Sequence, residues 1–212
     1  MVAILGTLGF RPESLIPTIK SCEGVTNVVV FISPHQNSKT AAEKVKEFCT
    51  ALEIELEIAT IPDAFDLLKI SERIQDSVLE LKKQGKEIAV FNIAGGTRVM
   101  SSAALLICII EGLNAVYVHD DTGAEIPLPS LHIRYSDVLT EMERQVLLFL
   151  LSHPDNELSQ RDVAEGMGLH KATINHHIKT LLDKGAVRLV PRKGDKRTKV
   201  IKADESMRLL LR

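Results

Sequence analysis

Residues 88–98 read IAVFNIAGGTR, an apolar strand signal that runs into two adjacent glycines, and residues 99–110 continue as an apolar helix signal. Strand, glycine turn and helix are the parts from which a Rossmann-like sheet builds a cradle for phosphate, because glycines let backbone N–H groups approach an anion without Cβ clashes. Thr97 is placed to cap the helix and to leave N–H groups free for a ligand. Arg98 stands in the first helical turn, where a cation opposes the helix dipole unless an anion lies between them.

The start of the chain repeats this arrangement. Residues 2–5 are a short buried-strand signal, and residues 6–12, GTLGFRP, follow them. Pro12 suits the first position of a helix, and Arg11 stands at that helix start. Because the carboxyl ends of strands in an open α/β sheet face one crevice, the two glycine turns together predict a site for a phosphate-rich ligand. The alternative is that the glycines only make tight turns between strand and helix.

Strand and helix signals alternate up to about residue 135. Strand signals fall at residues 27–32, 54–58, 88–91, 114–119 and 125–128, and helix signals at residues 12–21, 39–52, 65–83 and 99–110. This alternation predicts an α/β Rossmann-like domain with a mostly parallel sheet and helices on both faces. Residues 54–58 alternate apolar and acidic side chains, which indicates a strand near the sheet edge. A last strand is possible at residues 131–135, and we place the domain boundary so that the domains are 1–135 and 136–212.

The sequence of the second domain predicts three helices and a β-hairpin. Helix starts are predicted at residues 140–143, TEME, and at residues 159–162, SQRD. A third helix signal covers residues 171–184 and stops at Gly185. Two β-branched runs then flank residues 191–197, PRKGDKR, which contain a turn signal. Helices followed by a basic hairpin in this order predict a winged helix-turn-helix.

The charge divides between the two parts of the chain. Residues 1–139 carry 12 Lys and Arg against 18 Asp and Glu, a net charge of −6, whereas residues 140–212 carry 14 against 10, a net charge of +4. A basic tail on an acidic body indicates a polyanion partner for the tail alone.

The third helix of the tail separates apolar from polar side chains. Ile174, Ile178, Leu181 and Leu182 form one buried stripe. The opposite face carries short polar and basic groups of the kind that reach base edges and phosphates. We expect DNA contacts from Lys171, Thr173, Asn175, His176 and Lys179 on this helix and from Arg192, Lys193, Lys196 and Arg197 in the hairpin. The alternative is a solubilising hairpin on a protein-interaction module. No metal site is expected at the nearby histidines, because neither cysteine nor an acidic cluster joins them.

The composition is that of an ordinary globular protein, with 45% hydrophobic and 25% charged residues. The three cysteines, Cys22, Cys49 and Cys108, are scattered outside any CxxC pair, which predicts buried thiols in a reducing cytoplasm. The chain begins directly on a strand signal, so we expect no signal peptide. Its longest apolar stretch, residues 103–110, is too short to cross a bilayer, and we expect a cytoplasmic protein without a membrane partner.

Both parts of the chain resemble known families. Residues 158–164, LSQRDVA, through 181–187, LLDKGAV, resemble winged-helix regulators of the MarR and ArsR type. Residues 7–10, TLGF, and 92–100, NIAGGTRVM, resemble the CARF domain, the CRISPR-associated Rossmann fold. The whole chain is similar to the archaeal CRISPR-associated transcriptional regulators of the CARF–winged-helix family. That family implies a homodimer, a cyclic oligoadenylate, most often the tetra-adenylate, bound across the dimer axis, and double-stranded DNA bound through the tails.

The resemblance also implies which residues meet the ligand. Backbone N–H groups of the second glycine turn, with Arg98 and Arg11, would hold phosphates. Phe10 would pack on an adenine, with a core position as the alternative, while Asn92 and Ser33 would bond ribose or base. The full expected set is Thr7, Leu8, Gly9, Phe10, Arg11, Ser33, Asn92, Ala94, Gly95, Gly96, Thr97, Arg98 and Met100. We expect no metal and no cofactor besides this regulatory ligand. A two-fold dimer meets a symmetric ring with the same loops twice and sets its recognition helices roughly 34 Å apart, which implies a palindromic operator.

Three other functions remain possible. Some CARF domains slowly cleave their cyclic ligand without metal by attack of the ribose 2′-hydroxyl, and Thr7, Thr97 and Arg98 would suit that reaction. The sequence shows no Ser-His-Asp set, metal cluster or acid pair, so we expect no catalytic residue and a protein that is not an enzyme. A dinucleotide-sensing repressor would need a complete GxGxxG, which residues 6–9 lack. A plain adaptor would show no salt-dependent DNA binding.

Overall fold

A computed structural model describes residues 1–119, 121–129, 135–153 and 158–212, with the backbone alone at residues 135, 136 and 195–197. The chain divides into two units, Met1–Tyr135 and Ser136–Arg212. Among the described residues no helix has the length and apolar character that a membrane span requires.

Strands and helices alternate through the first unit. Its strands are β1 (Val2–Leu8), β2 (Val25–Ile32), β3 (Glu55–Thr60), β4 (Glu87–Asn92), β5 (Ala115–Val118) and β6 (Glu125–Leu128). Its helices are α1 (Ile16–Ser21), α2 (Gln36–Ala51), α3 (Leu67–Lys83) and α4 (Arg98–Glu111). A separate 3₁₀ turn at Pro12–Ser14 replaces the start of the predicted helix 12–21. The possible strand at 131–135 falls largely outside the described residues.

The six strands form one sheet in the order β3-β2-β1-β4-β5-β6. The first five strands in this order run parallel, and β6 is antiparallel to β5. The predicted Rossmann-like fold is therefore confirmed, as is the edge position of β3. Because the strand order reverses between β1 and β4, the carboxyl ends of these two strands open a crevice.

Apolar side chains on both faces of β1 and β2 are buried. Ile4 and Val28 belong to the cluster that packs with α1 and α2. Since successive side chains of a strand point to opposite faces, Leu5 and Phe31 lie on the other face, where Phe31 stacks on Phe91 with ring centroids 5.9 Å apart. Both faces of these two strands therefore contribute to the core of the first unit.

All three cysteines are free thiols. Burial raises the pKa of Cys49 to about 11 and that of Cys108 to about 12. The predicted burial is confirmed for these two, whereas Cys22 is half-buried.

The second unit is a winged helix-turn-helix. It contains α5 (Glu141–Leu151), α6 (Gln160–Met167), α7 (Lys171–Asp183), and a hairpin of β7 (Val187–Arg192) and β8 (Asp195–Ala203). Both predicted helix starts carry a capping box. Thr140 and Glu143 form it at α5, and Ser159 and Asp162 form it at α6. A closing 3₁₀ turn at Glu205–Leu210, which the sequence did not predict, adds Leu209 to the buried residues.

Candidate functional site

The two predicted glycine turns touch each other at the crevice between β1 and β4. A Cβ atom on Gly95 would lie 2.3 Å from the carbonyl oxygen of Thr7 and 3.0 Å from the backbone N of Gly9. A Cβ on Gly9 would likewise lie 3.0 Å from the backbone N of Gly96. Gly96 also has a φ of +83°, which favours glycine. Gly95 is buried in this contact and Gly96 is exposed, so the backbone available to an anion begins at Gly96.

Thr97 joins α4 to the segment that follows β3. Its Oγ1 accepts a hydrogen bond from the Met100 N–H at 3.1 Å, and its hydroxyl donates to the carbonyl oxygen of Ala64 at 2.7 Å. The first bond confirms the predicted helix cap. The second shows that the hydroxyl is already engaged on both sides.

Replacing Thr97 by valine is expected to destabilise the first unit by about 1–2 kcal/mol, because the helix cap and the bond to Ala64 are both lost. Thr97→Ser retains the hydroxyl and should stay close to the wild type. Urea unfolding of the three proteins checks this. Equal stabilities of the valine and serine variants would contradict the role given to the hydroxyl.

Asn92 is a structural residue, which corrects the expectation that it bonds ribose or base. Its side chain is fully buried. The Nδ2 atom donates to the Ser14 carbonyl at 2.8 Å and to Thr18 Oγ1 at 2.7 Å, while Oδ1 accepts the Ala94 N–H at 2.9 Å. These bonds hold the end of β4 against the start of α1.

Three more expected ligand residues have buried side chains. Thr7, Leu8 and Met100 are all 0% exposed. Leu8 belongs to the core that packs with α1 and α2, and Met100 lies under Gly96, with its Sδ 3.1 Å from the place of a Cβ there. The prediction that these three side chains contact the ligand is therefore wrong. They pack beneath the two glycine turns and support them.

A cavity of about 520 Å³ opens at the carboxyl ends of the strands. Four segments that follow strands contribute to it: Gly9 and Phe10 after β1, residues 33–35 with Ser38 of α2 after β2, residues 62–65 after β3, and Gly96 and Thr97 after β4. The structure thus brings Gly9, Phe10, Ser33, Gly96 and Thr97 of the expected set together. Sequence reasoning missed His35, Ser38, Asp63 and Phe65, although their position after β2 and β3 is the signal that found the glycine turns.

Aromatic rings stand on the wall of this cavity. Phe10 is 58% exposed, which excludes the core position considered for it. Its ring centroid lies 4.8 Å from that of His35 at an interplanar angle of 35°. Phe65 is 75% exposed, and the hydroxyl groups of Ser33 and Ser38 bond each other at 2.8 Å.

Neither arginine of the expected site lines the 520 Å³ cavity. Arg11 lines a second cavity of about 360 Å³ with the 3₁₀ turn, α1 and the end of β5. Arg98 is exposed as the first residue of α4. Neither guanidinium group is therefore part of the cavity lining in one chain, and the pocket expected to hold Arg11 and Arg98 in a dimer stays a prediction.

The candidate DNA surface is the exposed face of α7. Ile174, Ile178 and Leu181 are fully buried, as the sequence predicts, whereas Leu182 is half-buried. The expected contact residues are all exposed on the other face: Lys171, Thr173, Asn175, His176 and Lys179. His170 occupies the N-cap without a capping side-chain bond.

The hairpin adds exposed basic groups beside α6. Arg192 and Lys193 are exposed, and Gly194 makes the turn with a φ of +81°. Arg192 Nη2 lies 3.3 Å from Asp162 Oδ2, which ties the hairpin to the start of α6. The side chains of Lys196 and Arg197 lie outside the described residues, so their expected DNA contacts remain predictions.

A protein-family model matches each of the two units. The family model of the Csa3 CRISPR-associated Rossmann-like domain matches residues 2–129, and that of the MarR family matches residues 139–198. No curated protein matches the chain.

Several solved structures are similar to parts or the whole of the chain at low sequence identity. Protein VC1899 from Vibrio cholerae is 13% identical with a TM-score of 0.53, and the match covers 99% of this chain and 64% of that one. The S. aureus MepR–DNA complex is 23% identical over 35% of this chain and 55% of that one, with a TM-score of 0.33. A type III CRISPR defence DNA nuclease activated by cyclic oligoadenylate is 14% identical, with a TM-score of 0.48. That match covers 70% of this chain and 27% of the nuclease chain. The chain thus spans about half the length of the first solved structures it matches.

Proposed function

The chain belongs to the family of the Csa3 CRISPR-associated Rossmann-like domain, here joined to a MarR-family domain, and we propose that it is a transcription regulator whose ligand is cyclic tetra-adenylate. Its architecture, a CARF domain followed by a winged helix, is that of a CRISPR-associated transcription regulator. The ligand, the dimer and the operator are the parts that we propose.

The observation that carries the ligand proposal is the contact between the two glycine turns. It places the exposed backbone of Gly96 and the N-terminus of α4 at the point where the strand order reverses. Helix N-termini and glycine-rich turns bind phosphate, and Arg98 adds a guanidinium group there. A phosphodiester ring is the ligand that such a surface, next to a 520 Å³ cavity, fits best.

One face of α4 supports a homodimer. Arg98, Ser102, Leu105 and Ile109 follow one another at helical spacing, and Ile109 is 49% exposed. Burial of this stripe against the same stripe of a second copy would remove apolar area from water. We propose that the two copies of α4 run parallel about the two-fold axis, because this pairing brings both helix N-termini, and with them both Arg98 side chains, to one ligand.

The second unit supplies the DNA-binding surface. In a two-fold dimer two copies of α7 would read successive major grooves roughly 34 Å apart, so we propose a palindromic operator. The basic and polar side chains on the exposed face of α7 would contact phosphates and base edges.

The positions of two threonines favour ligand binding over ring cleavage. Thr7 is fully buried, and the hydroxyl of Thr97 is engaged by Met100 and Ala64. Neither is placed to assist the attack of a ribose 2′-hydroxyl, so the regulator is the function we propose.

Calorimetric titration with cyclic tetra-adenylate tests the proposal. We expect one ring to bind two chains and Arg98→Ala to weaken binding about tenfold to a hundredfold, since it removes a charged bond to phosphate. Arg11→Ala is the matched control, because Arg11 lines the other cavity, and it should bind almost as the wild type. No binding, or one ring per chain, would refute the proposal.

A further inference from the structure

The hairpin of the second unit is tied to the start of α6 at two places. Leu158, just before the capping Ser159, makes an antiparallel β-bridge with Ile201 of β8, and its carbonyl oxygen accepts the Ile201 N–H at 2.8 Å. Asp162, in the first turn of α6, has its Oδ2 3.3 Å from Arg192 Nη2 near the tip of the hairpin. The short segment around the start of α6 therefore holds the hairpin near its base and near its tip.

The carboxylate of Asp162 is fixed by the helix start. Its Oδ2 accepts the Ser159 N–H at 2.8 Å, and Ser159 Oγ accepts the Asp162 N–H at 3.3 Å. These bonds from Ser159, followed by the charge of Arg192, hold the pKa of Asp162 below its usual range. The carboxylate is thus ionised at neutral pH, and the cap has already restricted its side chain. Part of the entropy cost that usually weakens an exposed ion pair is therefore absent.

An acidic residue at this place opposes DNA binding through its charge. The first helix of a helix-turn-helix crosses the DNA backbone, and the side chain of Asp162 is 40% exposed at the start of that helix. Because like charges repel, electrostatics alone predicts that removal of this carboxylate strengthens DNA binding. A benefit that outweighs the repulsion must come from what the carboxylate holds.

The tip of the hairpin is irregular at the residue that Asp162 contacts. Pro191 lies opposite Lys199, whereas the next residue, Arg192, lies opposite Asp195. Residues 196–198 of β8 stand between these two pairs without a counterpart on β7. Such a bulge bends a strand and redirects its side chains. The position of Arg192 therefore decides how the basic tip is presented.

We propose that Asp162 is a positioning residue for DNA binding, which holds the tip of the hairpin through Arg192. Val163 of α6 and Ile174 of α7 belong to one core, so a tip held by α6 is also held relative to α7. Arg192 is then an anchor, and its effect on DNA binding is indirect. This inference rests on the proposed function, in which the second unit binds DNA.

The test measures the affinity of the full chain for a fluorescein-labelled DNA duplex recovered from a random pool by selection on the wild type. Asp162→Asn should weaken binding about three- to fivefold, the effect of losing one exposed but fixed ion pair, although it removes a negative charge. Asparagine still accepts the Ser159 N–H, so the helix start is retained. Asp162→Glu keeps both the capping oxygen and the charge, and it should bind almost as the wild type.

Glu165→Gln is the matched control. It removes the same charge from α6, but from an exposed pair with Arg161, and it should bind DNA as tightly as the wild type or slightly more tightly. Arg192→Ala should weaken binding by the same factor as Asp162→Asn. The double variant should bind no more weakly than either single variant, because the two residues act through one contact.

The outcomes separate this inference from the proposed function. If Asp162→Asn binds the duplex as tightly as the wild type or more tightly, or if the two single losses multiply in the double variant, the positioning role is overturned and DNA binding stands. Binding of Asp162→Glu as weak as that of Asp162→Asn would also overturn it, since the charge would then not matter. If selection on the wild type recovers no duplex, the DNA-binding part of the proposed function fails, and the positioning role fails with it.

Discussion

A Gly95→Ala variant is expected to lose about 3 kcal/mol of stability in the first unit, which corresponds to a fall of about 10 °C in its melting temperature. The added Cβ would lie 2.3 Å from the Thr7 carbonyl oxygen and 2.8 Å from Leu8 Cα. Both atoms belong to the backbone of β1, which cannot rotate away as a side chain would. The end of β1 or the start of α4 must therefore move, and Gly96 moves with it. Differential scanning calorimetry measures the change.

Gly123→Ala provides the control for this prediction. Gly123 has a φ of +67°, so alanine there is strained by about 1 kcal/mol. Among the described residues beyond its two chain neighbours, no atom lies within 4 Å of the added Cβ. A smaller loss than in Gly95→Ala is expected, together with unimpaired binding of cyclic tetra-adenylate. If the two variants melted alike, the close approach of the two turns would not matter for the fold.

The elements were predictable because their signals are local. Alternating apolar runs, a Thr or Ser three residues before an acid, and a glycine after a helix each require only neighbouring residues, as at Thr140 and Ser159. The prediction of one helix over residues 12–21 was wrong, and the reason is also local. Pro17 has no N–H, so it suits only the first turn of a helix, and α1 accordingly starts at Ile16 after a separate 3₁₀ turn.

The site was less predictable because its contacts join distant parts of the chain. Asn92 at a strand end has the same local sequence whether it meets a ligand or, as here, bonds Ser14 and Thr18 more than 70 residues away. The sequence places Phe65 in a helix over residues 65–83, but that helix begins at Leu67 with Asp66 as its cap, which leaves Phe65 in the turn that reaches the cavity. Side-chain direction in such turns follows from tertiary bonds, which a single sequence does not display.

Lys184→Met is expected to destabilise the second unit by about 2–3 kcal/mol at pH 7. Lys184 Nζ lies 2.7 Å from Glu143 Oε2 and also donates to the Val138 carbonyl at 2.8 Å. The Glu143 side chain is only 3% exposed, so removing its cation leaves a buried charge uncompensated; the 28% exposure of Lys184 moderates the loss. The matched control is Lys69→Met, which removes an exposed pair with Asp66 and should cost about 0.5 kcal/mol or less.

The pH dependence of this loss identifies Glu143 as its cause. Burial raises the pKa of Glu143, but the hydrogen bonds from Lys184 and Thr140 outweigh burial and hold the pKa below the usual 4.5. A carboxyl group with a lowered pKa stabilises the fold above its unfolded pKa, and that contribution disappears as the pH falls through its folded pKa. Without Lys184 the effect of burial is less opposed, so the pKa of Glu143 should rise in the variant. Urea unfolding should therefore show a stability difference between wild type and Lys184→Met that is largest near pH 7 and shrinks below about pH 4.5. A difference that stayed constant down to pH 3 would mean that the lost packing of the lysine stem, and not the charge left on Glu143, destabilises the variant.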